Sequence, residues 1–357
     1  MKTWEENAKT GPHLELLSTA SVEGSGSFVV REGYVYMAAR YGSSHVMNVI
    51  DVRDPTATKV AATLKFKSSI AAVAMMDQLL IAAESGRALH FFELKDPARP
   101  AALDVGVALG KSIYDIARLG RYVVAALNWE GVGLMDLENP RKARWVSELK
   151  LEDGFVENLV VAGGHIFATG ASDGLVVMDV VEGKLVQLAK PAGKGFNASE
   201  VFRMGDRVWV FGSNDDDKAE ILVIDPAQPT KVEHRFTTKI SAPKCLLPLK
   251  DGSGIGFFTH YSCAQYDPAH QRAGMIFRQY VKDEGGAYVE MPADTSGLSE
   301  EQQEKLRSGR TTCMETISHL ARRGPFLYAA QGEALTVYRI SEGSAFAETQ
   351  DPSGGEG

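Results

Sequence analysis

Residues 33–55 read GYVYMAARYGSSHVMNVIDVRDP, and residues 120–140 read GRYVVAALNWEGVGLMDLENP. Both open on a glycine, run through a stretch of aliphatic and aromatic residues, break at a polar loop, resume as a second apolar stretch and stop at Asp-Pro or Asn-Pro. Val, Ile, Leu, Tyr and Phe suit the pleated surface of a strand, while Gly, Asn, Asp and Pro punctuate it. Proline lacks the N–H that would extend a ladder, and its ring steers the preceding residue away from helix. Each unit therefore reads as two strands joined by a loop and ended by a turn.

The unit recurs along the chain. Related stretches begin at Asp77 (DQLLIAAESGRALHFFELKDP), Gly163 (GGHIFATGASDGLVVMDVVEG), Gly205 (GDRVWVFGSNDDDKAEILVIDP), Gly324 (GPFLYAAQGEALTVYRISEG) and, in degenerate form, Gly252 (GSGIGFFTHYSCAQYDP). Ala38, Ala82, Ala125 and Ala168 are 44, 43 and 43 residues apart, Phe211 and Phe258 continue the series, and Ala329 follows a longer gap. Around Gly120 four strands are expected, at 112–119, 121–126, 133–137 and 143–149. A period near 43 with several short strands per repeat is the signature of propeller blades. The expectation is an all-β chain: a seven-bladed β-propeller of four-stranded blades over residues 13–350, after an N-terminal extension at 1–12 and before a disordered tail at 351–357.

Energetics favour a closed ring over a row of separate units. Ordering one residue's backbone costs roughly 1–2 kcal/mol, and burying a Val or Leu returns roughly 1.5–3 kcal/mol. A blade with about a dozen such side chains is not stable alone and must cover both sheet faces with neighbours. Residues 13–22, HLELLSTASV, resemble the fourth strands KVAATLKF at Lys59 and RWVSELKL at Arg144, yet precede the first repeat. They are expected to complete the last blade as its outer strand; residues 345–350 are the rival for that place.

Composition sets the outer limits. Of 357 residues 44% are hydrophobic and 24% charged, ordinary globular values that allow a core. A net charge of -8 with no Lys/Arg run argues against a nucleic-acid surface. Cys245, Cys263 and Cys313 form neither a disulfide framework nor a C-x-x-C metal motif, as expected of reduced cytosolic thiols. Residues 1–17 are polar, without the charged, apolar, small-residue order of a signal peptide, and no apolar run reaches about 18 residues. A cytoplasmic, membrane-independent monomer is the default expectation.

The third-strand segments VMNVIDVRDP at Val46 and EILVIDPAQP at Glu220 resemble those of the LVIVD-repeat β-propellers, in which a strand of alternating aliphatics ends in Asp and a D-P turn. The likeness spans residues 26–340 apart from one insertion. Glu182-Gly183 and Glu342-Gly343 replace the D-P turn in two repeats, and Ala264-Gln265-Tyr266-Asp267 departs in another. The resemblance implies the fold and carries no active-site residue across.

Function is sought where the scaffold opens. Loops between second and third strands gather on one face, and loops on a rigid scaffold collect binding residues. Those loops carry Arg40, Tyr41, His45, Arg87, Trp129, His260 and Tyr261, and aromatic and Arg side chains suit a protein-binding patch, although they equally compose an ordinary mixed rim. Residues 282–312 break the period; Ser299 and Gln302 have capping-box spacing and Gly309 a stop position, which predicts a short helix over 298–307 between the sixth and seventh blades, placed as a lid or partner contact.

The first strands should line the central channel, at aligned positions including Asp115, Glu157 or Asn158, Glu200, Lys244 and Glu315. Converging carboxylates suit Ca²⁺, which takes 6–8 oxygen ligands, or could act on bound water; solvated channel lining is the plainer account, with Lys244 neutralising its neighbours. Asp215, Asp216 and Asp217 lack EF-hand spacing, the eight histidines are scattered, and no G-x-S-x-G or P-loop is present. The leading expectation is a non-enzymatic scaffold binding another protein through the loop face, with no cofactor. The alternatives are a metal-dependent, lactonase-like hydrolase using Ca²⁺ in the channel, and a sensor with a small ligand at the channel mouth.

Overall fold

In the computed structural model the described residues are 14–24, 26–39, 45–86, 88–103, 107–108, 112–151, 155–170, 174–238, 242–243, 245–248, 254–257, 263–269, 271–276, 280–282, 288–290 and 317–340. Their strands form antiparallel sheets, lettered here in chain order. Sheet A is Phe28–Arg31, Tyr34–Ala38, Val46–Asp51 and Lys59–Lys65. Sheet B is Ile70–Met76, Leu79–Glu84 and Ala88–Glu93, with an outer strand in two pieces, Ala101–Ala102 and Val107–Ala108. Sheets C, D, E and F repeat the four-strand meander from Asp115 to Leu149, Val156 to Ala189, Phe196 to Thr238 and Cys245 to Ile276. Sheet G combines Ile317–Arg323, Phe326–Gln331 and Ala334–Ile340 with Leu14–Ser21.

Closure follows from that last sheet. Leu14–Ser21 pairs antiparallel with Ala334–Ile340, Ser21 opposite Ala334 and Leu14 opposite Ile340. Ser18 Oγ also donates to Pro55 O at 2.7 Å and lies 3.0 Å from Thr58 Oγ1, which ties sheet G to the Asp-Pro turn of sheet A. The first strands touch in sequence from A to G, and that of G touches that of A, so the sheets form a closed ring. The rival closing segment, 345–350, lies outside the described residues.

The core lies between neighbouring sheets. In Leu79–Glu84, Leu79, Ile81 and Ala83 pack toward sheet C, while Leu80 and Ala82 pack toward sheet A. Successive side chains of a strand point to opposite faces, and here both faces are covered. This is why LLIAA is an unbroken apolar run and not an alternating one. Corresponding buried clusters join C to D, D to E, E to F and G to A.

The turns show why the punctuation recurs. Asp54, Asp96, Asn139 and Asp225 each accept, through Oδ1, the N–H of the residue two positions on, at 2.9, 3.0, 3.0 and 2.9 Å. Their carbonyls accept the N–H three positions on. The intervening proline presets the turn, and the Asx side chain occupies a donor that the turn would leave unpaired. Between first and second strands the hairpins are two residues long, as at Glu32-Gly33 and Gly163-Gly164, with both residues in the left-handed region. Such turns match strand twist and favour Gly.

Among the described residues there is no α-helix, only the short 3-10 turn Pro140–Lys142. Where the insertion begins, Tyr280–Lys282 pairs with Tyr288–Glu290 as a two-stranded hairpin. The helix expected over 298–307, the extension at 1–12 and the tail at 351–357 lie outside the described residues.

Candidate functional site

The loop face is best defined around Trp129. The residue is 67% exposed and its ring lies 4.8 Å from that of Phe155, tilted by 53°. The loop beneath is closely fixed. Leu127 N–H donates to Gly131 O at 2.8 Å, and Gly131 N–H donates to Asn128 O at 3.0 Å. Asn128 and Val156 exchange reciprocal backbone hydrogen bonds, both 3.0 Å, which bind the loop of sheet C to the first strand of sheet D.

Asn128 adopts φ 56°, and its Oδ1 accepts the Trp129 N–H at 2.8 Å. Asparagine tolerates the left-handed region because its short polar side chain bonds locally. Gly131 has φ 85°, and a Cβ there would meet Leu149 O at 2.1 Å. The sequence NWEG therefore specifies a turn that presents a large aromatic outward on a rigid support.

The other expected loop-face residues divide. His45 is exposed, and its carbonyl accepts the Phe66 N–H at 2.8 Å. Arg40, Tyr41, Arg87, His260 and Tyr261 lie outside the described residues.

Two buried acids on the same side of the ring escaped sequence reasoning. Glu84, 3% exposed, accepts the N–H groups of Lys67 and Ser68 at 2.7 and 2.6 Å and lies 2.8 Å from His90 Nε2. Burial raises its pKa, but the hydrogen bonds from His90, Ser68 and Lys67 together outweigh burial and hold it below the usual glutamate value. Glu220 is likewise buried. It accepts from Arg235 at 2.8 Å, and Arg235 also donates to Ala192 O at 2.8 Å. Both acids clamp the connection that enters their own sheet. The available signal was a charged residue at the edge of an apolar strand, in LLIAAE and EILVI.

The channel residues resolve into ties between sheets. Counting back from each hairpin, Ser27, Asp115, Asn158, Glu200 and His319 share one position. Ser27 Oγ accepts the Val73 N–H at 3.4 Å, and Asp115 Oδ2 accepts the Leu159 N–H at 3.1 Å. Asn158 donates to Ser199 O at 3.1 Å, and His319 sets its ring edge against Phe28. Each of these four reaches the following sheet.

Glu157 falls in a β-bulge between Val156 and Leu159. It is exposed and out of line with Asp115, so Asn158 is the true counterpart. A bulge adds one residue and re-aims the side chain. Lys244 and Glu315 lie outside the described residues. Among the described residues no group of three or more His, Cys, Asp or Glu side chains is arranged to hold a metal ion. Cys245 is fully buried, and burial pushes its thiol pKa far up, away from thiolate chemistry. Among the described residues no helix is long and apolar enough to cross a membrane.

No known family model and no curated protein matches the chain. Among solved structures it is similar to the WD40 β-propeller domain of Doa1, with a TM-score of 0.57 at 10% identity over 93% of this chain and 98% of that one. It is also similar to BamB from Moraxella catarrhalis, with a TM-score of 0.60 at 12% identity over 92% of this chain and 100% of that one. Likeness at such identity concerns the fold: the chain is an all-β propeller of repeated antiparallel sheets.

Proposed function

We propose that this chain is a seven-bladed propeller of LVIVD-like repeats that serves as a non-enzymatic docking scaffold, binding another protein through the face that carries Trp129. The observation that supports this reading is a two-thirds-exposed tryptophan on a loop fixed by reciprocal backbone bonds to the next sheet. Exposing an aromatic ring to water is unfavourable, and a rigid aromatic is the side chain that contributes most when a partner covers it. Phe155 extends the platform. Because the loop is already ordered, docking loses little conformational entropy.

The insertion at 282–312 contributes a second contact in this reading. No nucleophile motif and no cofactor enters it. The test compares proteins co-purified with the wild type, with Trp129→Ala and with a chain lacking 283–311, each quantified by mass spectrometry. A partner recovered with the wild type and reduced about tenfold by Trp129→Ala supports the proposal. Identical sets from the wild type and both variants, all folded, overturn it.

A further inference from the structure

The opposite end of the ring, where first and second strands meet in tight hairpins, holds a cavity of about 580 Å³. Its wall includes Arg31, Arg118, Arg323, Glu32, Asp77 and Tyr328. The arginines come from the first strands of sheets A, C and G, and each is oriented by a main-chain carbonyl. Arg31 donates to Asp77 O, Arg118 Nε donates to Gly120 O at 3.0 Å, and Arg323 donates to Val30 O at 3.4 Å.

The carboxylates are placed differently. Arg31 meets Glu32 at 3.1 Å, and Arg118 meets the two Asp77 oxygens at 3.1 and 3.4 Å. The Asp77 side chain is 78% exposed, whereas Arg118 is 21% and Arg31 28% exposed. The cations are thus held in the wall and the acids stand in water at the rim. In a chain of net charge -8, a concave wall with three arginines against two carboxylates is a local reversal of sign. Planar guanidinium forks pair bidentately with two oxygens of a carboxylate or a phosphate, and a concave wall focuses their field. The volume falls in the usual range of small-ligand clefts, roughly 300–1,000 Å³.

We propose that this cavity binds a small-molecule oxyanion, a phosphate or carboxylate group on a metabolite-sized ligand, held by Arg118 in place of the Asp77 carboxylate and by Arg31 in place of the Glu32 carboxylate. The site lies on the face opposite Trp129 and is independent of the docking function. Asp77 has φ 51°, which asparagine also adopts readily, so Asp77→Asn removes the competing charge without straining the turn.

The experiment is calorimetric titration with pyrophosphate and with citrate at low ionic strength. It uses the full chain as wild type, Arg118→Gln, Arg31→Gln, Asp77→Asn and Trp129→Ala. Saturable binding is expected, weakened about tenfold or more in each arginine variant, tightened in Asp77→Asn and unchanged in Trp129→Ala. Binding of pyrophosphate alone identifies phosphate as the recognised group, citrate alone identifies carboxylate, and both together identify oxyanions generally. Absence of saturable binding for both probes overturns the proposal, as do affinities indifferent to the arginine substitutions. Should an arginine variant fail to fold, Asp77→Asn decides the matter, because equal or weaker binding there also overturns it. Loss of partner docking in Trp129→Ala has no bearing on these outcomes.

Discussion

Glu84 Oε2 lies 2.8 Å from His90 Nε2 on the adjacent strand, while Glu84 Oε1 gathers the N–H groups of Lys67 and Ser68. One buried carboxylate thereby fixes the connection from sheet A to sheet B. Glu84→Ala is expected to cost about 2–3 kcal/mol, since two donors lose their partner. The folded-state pKa of Glu84 is lowered, so its contribution is full above the unfolded carboxylate pKa and is lost as pH falls through the folded value. Urea unfolding at neutral pH and in acid measures this: the gap between wild type and Glu84→Gln should narrow in acid, and a constant gap counts against the account.

Arg235 and Glu220 form the analogous clamp in sheet E. Arg235→Met leaves a buried carboxylate without its cation. The cost is expected at about 2–3 kcal/mol, below the usual figure for a fully buried pair because Arg235 is itself partly exposed. Replacing both residues by apolar ones of similar size should recover much of the loss in a double-mutant cycle. If the double variant is no more stable than Arg235→Met, the clamp is not an electrostatic pair.

The loop beneath Trp129 separates fold from function. Trp129→Ala should alter stability by no more than about 0.5 kcal/mol, because the side chain lies mainly in water. Gly131→Ala should cost about 2 kcal/mol or more, since its backbone is left-handed and its Cβ would collide with Leu149 O. Melting temperatures of the two variants decide this, and equal effects would contradict the geometry.

Ser18 joins the closing strand to the turn at Pro55. Ser18→Ala is expected to cost about 1 kcal/mol, whereas Ala20→Asp, which puts a charge at a buried seam between sheets A and G, should cost about 3 kcal/mol or more. Hydrogen exchange would show both losses first in Leu14–Ser21 and Ala334–Ile340. Uniform loss of protection across all sheets at the lower cost would argue against a separable seam.

The period of the fold was legible because four of the repeats end their third strands with the same residues. Asx-Pro ends a third strand through one turn geometry, and small residues such as Ala82 and Ala125 occupy the tight core between sheets. The closing strand was legible from the likeness of HLELLSTASV to other outer strands. Bulges were not: nothing in VENLV marks Glu157 as the extra residue, and that single insertion decides whether its carboxylate lines up with Asp115.

Trp129 was legible as a loop aromatic, but its rigidity depends on Val156 in the next repeat. Arg31, Arg118 and Arg323 lie far apart in sequence and line one cavity only because the ring closes.

The pairing of Ser21 with Ala334 has a consequence for biosynthesis. A strand made early must wait for a partner made late, so the seam can be sealed only after the intervening blades have been translated. Until then the nascent chain carries two open edges, each able to recruit a stray strand from another polypeptide. A ring sealed by its two ends therefore needs those edges shielded during translation as well as paired once synthesis is complete.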